Sequence, residues 1–380
     1  MPPPLAHIAK IAIFLIVAGG QGVASSQAAP PGPSLVTVAA GLVNPWAVAF
    51  LPGGQFLVTE RPGRMRVVSA SGDVGPPLAG VPPVAAGGQG GLLDVITDAG
   101  FARNRRIYFC YSEPAGAEGS GNSTALARAT LAADGRSLQE VRVIFSQRPK
   151  VASSLHFGCR IVQAPDGNLF LALGERYHRM NDAQKLDNHH GKVVRISPDG
   201  AVPADNPFRD QAGALPEIWS YGHRNPQGAT LGPDGQLWMH EHGPQGGDEI
   251  NRPLPGRNHG WPVVTFGENY GGGKIGEGTA KAGMEPPLHY WVPSIAPSGM
   301  AFLTSSRYGT AWQGSLFVGS LKFGTLHRLE VDDSGKVRRE EKLLAGSGER
   351  LRDVREGPDG LLYVLTDSPQ GRLARLQPGR

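Results

Sequence analysis

The sequence predicts an all-β fold, namely a six-bladed β-propeller with four antiparallel strands in each blade. Two observations predict it: a composition rich in turn-forming residues, and a turn motif that recurs before apolar strands. Glycine and proline make up 87 of the 380 residues, about twice the usual share. Charged residues are only 18% of the chain, which disfavours long solvated helices, and hydrophobic residues reach 40%, which excludes global disorder.

The recurring motif is Pro-Asp-Gly-x-Leu-aromatic, which occurs at residues 165–170, 233–238 and 358–363, with a looser copy at 52–57. Proline sets the first corner of the turn, aspartate caps it, and glycine takes the positive φ. A strand is expected to start at the end of each copy, and two segments between the copies have the same aromatic and aliphatic character. The six predicted strands are residues 56–60, 107–111, 169–173, 237–240, 315–320 and 361–366.

These strands start 46 to 78 residues apart. Each interval is long enough for a four-stranded sheet with its loops, and six such sheets arranged radially would protect their strand edges. A β-sandwich or a pair of barrels is the alternative. Helical periodicity is scarce, and one short helix is expected at residues 182–186. Because no linker divides the chain, we predict a single domain from about residue 34 to residue 378.

Residues 1–29 have the order of a cleaved secretory signal. Lys10 gives a positive charge, an apolar run follows from Ile11, and small residues lead to Ala29. A membrane anchor is the alternative, but an apolar run of about ten residues is too short to span a bilayer. We therefore expect a periplasmic or secreted protein without membrane insertion.

In such a compartment Cys110 and Cys159 could form one disulfide or stay as two buried thiols, and the sequence leaves both open.

The basic residues predict an anionic small ligand rather than a nucleic acid. The formal net charge is +4 and no run of Lys and Arg exceeds two residues, whereas a nucleic-acid surface shows clustered basic residues. Lys322, Arg350 and Arg352 follow the late strands. If they converge on one propeller face, they indicate a ligand with several carboxylates. The alternative is a solvated basic patch.

Polar side chains gather directly after the repeated strands, where a site at one propeller face is expected. His156 is the best candidate for acid–base chemistry because imidazole titrates near neutral pH, and Glu175 could orient its ring. The alternative is a histidine satisfied in a loop. Arg224 and Asn225 lie in a glycine-flanked stretch whose backbone could approach a flat ligand closely. An ordinary exposed β-turn is the alternative there.

Two readings of the histidine-rich segment point to different metals. His240, His242 and His259 suggest zinc, but no cysteine lies near them and no HExxH motif occurs, so a zinc hydrolase is disfavoured. Residues 243–244, Gly-Pro, are followed by Asp-Glu at 248–249. Carbonyl and carboxylate oxygens of this kind better suit a hard cation such as Ca²⁺.

Taken together, these motifs resemble the soluble pyrroloquinoline-quinone (PQQ)-dependent sugar dehydrogenases, specifically the periplasmic aldose sugar dehydrogenase branch. The resemblance covers about residues 36–376. Each marker alone is weak, but seven in the family's order make a strong match. The markers are residues 41–46, 89–94, the His156 segment, 191–195, 221–228, 241–251 and 352–354.

The resemblance implies a six-bladed propeller that holds PQQ and calcium. The residues expected to bind the PQQ carboxylates are Lys322, Arg350 and Arg352. The residues expected to contact the rest of the cofactor are Gln89, Arg224 and Asn225. The backbone carbonyls of Gly243 and Pro244 resemble ligands of the calcium that also holds PQQ. Glu249 and the carbonyl of His259 resemble a second, structural calcium site, although relatives often carry Tyr where His259 stands.

The implied reaction is oxidation of an aldose at C1 to the lactone. His156 would take the proton of the C1 hydroxyl while the C1 hydride moves to the quinone C5 carbon, which calcium polarises. Arg224 would stabilise the developing charge, and Glu175 would orient His156, although glucose-specific relatives carry Asp there. An external electron acceptor would reoxidise the cofactor. The substrate pocket is expected from loops such as 113–122 and 267–282, and the protein is expected to be a monomer or homodimer.

Two alternatives remain. One is a propeller that binds a ligand or a protein without turnover, against which the joint presence of His156, Arg224, Lys322, Arg350 and Arg352 argues. The other is a calcium-dependent lactonase-type hydrolase. That class needs a central calcium site rich in carboxylates, whereas basic residues crowd the expected centre of this chain.

Overall fold

The computed structural model describes residues 1, 32–116 and 119–379. Within them, 24 strands form six four-stranded antiparallel sheets. The predicted six-bladed propeller is therefore confirmed. Apart from Met1, the predicted signal segment lies outside the described residues. No helix in the described part of the chain has the length and apolar character needed to cross a membrane.

The first half of the chain contributes thirteen strands, of which β1 belongs to the last blade. In chain order they are β1 (Ser34–Leu42), β2 (Pro45–Leu51), β3 (Gln55–Glu60), β4 (Arg64–Val68), β5 (Val74–Pro77), β6 (Leu92–Thr97), β7 (Arg106–Pro114), β8 (Asn122–Leu131), β9 (Leu138–Ser146), β10 (Gly158–Gln163), β11 (Leu169–Leu173), β12 (Lys192–Ile196) and β13 (Ile218–Tyr221).

The second half repeats the pattern. Its strands are β14 (Pro226–Leu231), β15 (Leu237–Glu241), β16 (Asp248–Asn251), β17 (His289–Trp291), β18 (Pro297–Phe302), β19 (Leu316–Ser320), β20 (Leu326–Val331), β21 (Val337–Leu343), β22 (Leu351–Glu356), β23 (Leu362–Thr366) and β24 (Gly371–Gln377). One helix, α1 (Phe101–Asn104), and two 3₁₀ turns at Pro52–Gly54 and Met180–Gln184 complete the described elements.

Each blade uses four strands that follow one another in sequence, except the last. Blades 1 to 5 are β2–β5, β6–β9, β10–β13, β14–β17 and β18–β21. Blade 6 takes β22, β23 and β24 from the C-terminal end and β1 from the N-terminal end. Ser34 pairs with Gln377 and Leu42 with Gly371, so backbone hydrogen bonds between the two ends close the ring.

All six strands predicted from the repeat are present, and each is the second strand of its blade: β3, β7, β11, β15, β19 and β23. The helix expected at residues 182–186 is instead a 3₁₀ turn at Met180–Gln184. Within this turn the Asp182 carboxylate accepts hydrogen bonds from Arg179 Nε at 2.7 Å and from Lys185 Nζ at 3.2 Å. These contacts hold the short turn from both of its ends.

The first strand of every blade carries a β-bulge close to its start. The register with the second strand skips one residue in four blades and two residues in the other two. A bulge re-aims the unpaired side chains, and here all six bulges lie at the same end of the propeller axis. The unpaired residues are Trp46, Leu93 and Asp94, Cys159, Gln227, Ser298 and Gly299, and Arg352.

Below the bulges, four charged side chains close the axis. Arg160 contacts Asp353 and Asp94 at 2.9 and 3.3 Å, and Arg355 contacts Asp94 and Asp353 at 2.7 and 3.1 Å. We call these four residues the axial cluster. Its two aspartates are fully buried, so the cluster seals the inner ends of the blades beneath the cavity described next.

Candidate active site

His156 lies just before β10, where the chain enters the inner strand of blade 3. Its backbone N–H donates to Gln89 Oε1 at 2.8 Å, and its carbonyl accepts the N–H of Arg176 at 3.3 Å. Gly174 packs directly against it, because a Cβ at that position would lie 2.1 Å from the His156 carbonyl oxygen. The predicted base is therefore fixed by backbone contacts from two blades.

His156 and Glu175 form the predicted pair. His156 Nδ1 lies 2.8 Å from Glu175 Oε2, and both side chains are buried. A carboxylate only accepts, so Nδ1 carries the proton and Nε2 keeps its lone pair. Burial lowers the pKa of His156 and outweighs the opposing effect of Glu175. The neutral imidazole is therefore ready to accept a proton at Nε2.

The Arg224 guanidinium lies across the same end of the axis. Its Nη1 donates to the carbonyls of His242 and Gly243 at 3.0 and 2.7 Å, and its backbone N–H donates to Glu241. The guanidinium carbon is 5.2 Å from the centre of the Trp261 ring. The Nε of Arg224 is buried and has no hydrogen-bond partner among the described residues. Such an orphan donor indicates a missing acceptor.

A cavity of about 200 Å³ opens beside His156 at the end of the axis where the bulges lie. Four bulge residues line it, which explains how separate blades contribute to one site. The lining residues are Trp46, Arg61, Gln89, Leu93, Phe157, Gly158, Asn225, Gln227, His242, Ala296, Leu321, Arg350, Arg352 and Asp367. We call this space the cationic cavity, since three arginines and one carboxylate face it.

Asp367 pairs with two of those arginines. Arg352 Nη2 and Arg350 Nη2 lie 3.0 and 3.3 Å from Asp367 Oδ2. Burial acts to raise the pKa of Asp367, but Arg352 and Arg350 outweigh it, so the pKa is lowered and the carboxylate stays ionised. One negative charge cannot balance three guanidinium groups. The Nε of Arg352 is also buried without a partner among the described residues.

The other predicted cofactor residues divide into two groups. Gln89 and Asn225 line the cationic cavity, and Asn225 Oδ1 accepts from the Gly158 N–H at 3.3 Å. Lys322 is exposed, and its Nζ lies 5.2 Å from the centre of the Phe323 ring. Its neighbour Leu321 lines the cavity and Lys322 does not, so this lysine stands at the rim.

A second cavity, of about 390 Å³, is bordered by Glu175 and Tyr177, which contact His156, but not by His156 itself. Glu175 and Arg224 line it together with aromatic side chains. Asn269, Tyr270 and Ile275 come from the predicted 267–282 loop, whereas no described residue of loop 113–122 lines the cavity. The complete lining is Glu175, Tyr177, His178, Met180, Arg224, Pro244, Trp261, Asn269, Tyr270 and Ile275.

Glu249, one of the predicted metal ligands, sits opposite another carboxylate. Glu241 and Glu249 are cross-strand partners in β15 and β16. Burial, and then the charge of Glu241, raise the pKa of Glu249 well above its usual range. Asn251 Nδ2 contacts both carboxylates, at 3.0 and 3.4 Å, while its Oδ1 has no partner among the described residues. Two carboxylates and a free amide oxygen suit a hard cation.

His259 lies beside Glu249 on a cavity of about 410 Å³. Its ring stacks on that of His223 at 4.6 Å. Burial, and then His223, hold the pKa of His259 well below its usual range. Within the described part of the chain, no group of three His, Cys, Asp or Glu side chains is arranged to bind a metal. Any cation here would need backbone carbonyls as well.

Sequence reasoning missed Asp367, and it gave no role to Arg61 or Gln227. Asp367 directly follows the last repeated strand, as Arg61 directly follows the first, and Glu175 lies two residues after the end of the third. A search for charged residues one or two positions after each repeated strand could therefore have identified Asp367. Gln227 and Arg352 occupy the bulge positions of the inner strands of blades 4 and 6. The sequence pattern alone does not reveal this register.

Comparison with known proteins matches residues 42–375 to the family model described as Glucose / Sorbosone dehydrogenase. The chain is 46% identical to aldose sugar dehydrogenase YliI of Escherichia coli (strain K12), over 92% of this chain and 94% of the relative. It is 28% identical to quinoprotein glucose dehydrogenase B of Acinetobacter calcoaceticus, over 87% of this chain and 84% of the relative.

Two solved structures share the architecture. The soluble aldose sugar dehydrogenase from Escherichia coli in the apo-form has 44% identity and a TM-score of 0.88, covering 91% of this chain and 99% of that one. The PQQ-bound aldose sugar dehydrogenase from Streptomyces coelicolor has 28% identity and a TM-score of 0.73, covering 92% of this chain and all of that one. The chain therefore belongs to the glucose/sorbosone dehydrogenase family, which confirms the resemblance and the class of oxidoreductase predicted from its sequence.

Proposed function

We propose that this protein oxidises aldose sugars at C1 to the lactone, with PQQ and Ca²⁺ as cofactors and an external electron acceptor. The observation that carries the proposal is the cationic cavity, which places an excess of guanidinium groups beside the His156–Glu175 pair. The similarity to a PQQ-bound aldose sugar dehydrogenase supports it. Export to the periplasm or medium, from the segment at residues 1–29, belongs to the same proposal.

The cationic cavity fits a flat polycarboxylate. Arg352 and Arg350 share one carboxylate, Asp367, and Arg61 also faces the space. Guanidinium groups pair with carboxylates through parallel N–H donors. The unpartnered Nε of Arg352 gives a buried donor to such a ligand, and the unpartnered Nε of Arg224 lies at the adjoining second cavity. Gln89 and Asn225 would contact its edge, and Lys322 would reach it only from the rim.

The predicted calcium ligands fit two different sites. The carbonyl of Gly243 accepts from Arg224 Nη1 at 2.7 Å, so a cation held by Gly243 and Pro244 would have to share that oxygen with the guanidinium or displace it. Glu249 lies opposite Glu241 in the neighbouring strand and near Asn251, whose Oδ1 has no partner among the described residues. A cation there would relieve the repulsion between the two carboxylates, with the His259 carbonyl as a further ligand.

His156 is the residue that would move the proton. Its Nδ1–H is held by Glu175, so Nε2 would accept the proton of the sugar C1 hydroxyl as the hydride leaves C1. Arg224 lines the second cavity and would stabilise negative charge that develops on oxygen there. When bound, PQQ would supply the two-electron acceptor and calcium the Lewis acid that polarises it.

Reconstitution of the purified apo-protein tests the proposal. Dye-linked oxidation of aldoses should appear only when PQQ and Ca²⁺ are both added, and a chelator should remove it. Binding of PQQ without turnover across a panel of aldoses would favour the ligand-binding propeller. Hydrolysis of lactones with Ca²⁺ alone would favour the lactonase.

A further inference from the structure

The bulge of blade 3 differs from those that line the cationic cavity. At the equivalent place in other blades, Trp46, Leu93, Gln227 and Arg352 face the cavity. In blade 3 the unpaired residue is Cys159, which forms a disulfide with Cys110 on β7 of blade 2. The two Cα atoms are 5.9 Å apart and both residues are fully buried. This bulge is therefore tied to the neighbouring blade instead of facing the ligand.

The segment from His156 to Cys159 has an unfavourable backbone. His156, Gly158 and Cys159 have φ of +49°, +68° and +80°. Residues other than glycine avoid this region, and they keep such a conformation only where the surroundings hold them in it. Arg176 and Tyr177, which lie against His156, have φ of +66° and +67°. Unfavourable conformations thus cluster on both sides of the proton acceptor.

The hydrogen bonds on this segment come partly from the cofactor site itself. The His156 N–H donates to Gln89 Oε1, and the Gly158 N–H donates to Asn225 Oδ1 at 3.3 Å. Both amides line the cationic cavity, so a bound cofactor competes for them. Thr124 donates its hydroxyl to the Phe157 carbonyl at 2.7 Å. The disulfide is the one covalent contact between this segment and blade 2 in the described residues.

We propose that the Cys110–Cys159 disulfide is a positioning element for His156, because it fixes the blade 3 bulge and so holds the imidazole against Glu175. The inference rests on the proposed function. Without the bond, the strained segment relaxes and the ring loses its alignment with Glu175. Displacement of a reacting group by about 1 Å can reduce turnover by about 100-fold. Arg350, Arg352 and Arg61 belong to other blades, so cofactor binding persists.

The groups around His156 determine how relaxation would appear in a pH profile. Glu175, Arg176 and Arg224 are the charged groups that face it, and the Tyr177 ring lies edge-on at 5.2 Å. Burial is the main cause of the lowered pKa of His156. A relaxed segment admits water, which raises the pKa, whereas a weaker Glu175 contact lowers it. Because burial is the larger cause, the pKa rises towards its ordinary value. The acidic limb of kcat then moves to higher pH, which loss of stability alone would not produce.

The test uses the Cys110→Ser/Cys159→Ser double variant of the full chain. In the PQQ- and Ca²⁺-loaded enzyme we expect kcat to fall about 10-fold or more, KM to change by less than about twofold, and the acidic limb to move to higher pH. In the apo-protein, amide hydrogen exchange of residues 154–160 should accelerate, whereas that of β19 and β20 should not. Retention of wild-type kcat, pH profile and exchange would overturn the inference.

Leu376→Ala is the matched control. Leu376 is buried at the far end of β24, so this variant loses stability without touching the site and should keep the wild-type pH profile. If the double variant does not fold, the same comparison can be made between oxidised wild-type protein and protein produced with two free thiols. An inactive wild-type enzyme would contradict the proposed function alone, since the exchange measurement on the apo-protein still decides the role of the disulfide.

Discussion

The axial cluster and the cationic cavity contain the same kinds of charged group in different proportions. In the axial cluster, two arginines meet two fully buried aspartates, and each aspartate contacts both arginines. Burial acts to lower the pKa of Arg355, but Asp353 and Asp94 outweigh it and the pKa is raised. In the cavity above, three arginines face one carboxylate, and that carboxylate contacts only two of them. Charge balance, rather than the presence of charge, separates the two regions.

The difference teaches how to distinguish a structural ion network from a binding site. The axial aspartates have further partners: Asp94 accepts the Ile161 N–H at 2.9 Å and Asp353 accepts the Val48 N–H at 3.1 Å. In contrast, Arg352 in the cationic cavity and Arg224 in the second cavity retain buried donors with no acceptor among the described residues. Among the buried side-chain atoms of the axial cluster, only Asp353 Oδ1 lacks a hydrogen bond, and it contacts Arg160 Nη1 at 2.9 Å. A network this nearly satisfied stabilises the fold, whereas unsatisfied donors around a cavity are available to a ligand.

The largest expected effect is on the axial cluster. Asp94→Asn leaves Arg160 and Arg355 with a single carboxylate between them, and breaking a buried pair in this way costs about 3–5 kcal/mol. We expect the free energy of unfolding, measured by denaturant titration, to fall by that amount. Lys281→Ala, which removes an exposed pair with Glu277, is the control and should change it by less than about 1 kcal/mol. If the two substitutions lowered the free energy of unfolding equally, the axial cluster would not be the stabilising network described here.

His156→Ala should have the next largest effect, on turnover. Loss of the proton acceptor reduces kcat by about 100-fold or more, which corresponds to about 2.7 kcal/mol. The dissociation constant of PQQ should stay within about twofold of wild type, because the arginines of the cationic cavity are unchanged. Steady-state kinetics and a PQQ titration measure the two quantities separately. Unchanged kcat would remove His156 from the mechanism.

The pH dependence gives a further check on His156. The reaction needs the neutral imidazole, and burial lowers the pKa of this group in the folded protein. Activity should therefore persist as the pH falls through the ordinary histidine value of about 6.5 and should decline only below it. A profile of kcat/KM against pH measures this limb. An acidic limb above pH 6.5 would show that the imidazole is not buried as described.

The smallest expected effect concerns the one carboxylate of the cavity. Asp367→Asn removes the anion that competes with a ligand for Arg352 and Arg350. The affinity for PQQ should rise roughly threefold or more, and it should depend more steeply on salt. Weaker binding would mean that Asp367 serves mainly to hold the two arginines in place.

The repeat predicted most of the fold, and the order of motifs predicted much of the site. Turn chemistry is local, so the Pro-Asp-Gly copies indicated the second strand of several blades directly. The first strands were harder to predict, because their bulges depend on pairing between strands. For the same reason, the joint contribution of Trp46, Gln227 and Arg352 to one cavity was not apparent. The sequence likewise could not show that Cys110 and Cys159 form a disulfide, because that depends on blades 2 and 3 being neighbours.

Titration of the apo-protein with PQQ tests the central claim most directly. The account predicts one molecule bound per chain in the presence of Ca²⁺. It also predicts at least about tenfold weaker binding to Arg352→Gln, which loses a charge-assisted donor. Lys281→Ala should bind as wild type does. Wild-type affinity in the Arg352→Gln variant, or no binding to the wild-type protein, would contradict the claim that the unbalanced cavity holds the cofactor.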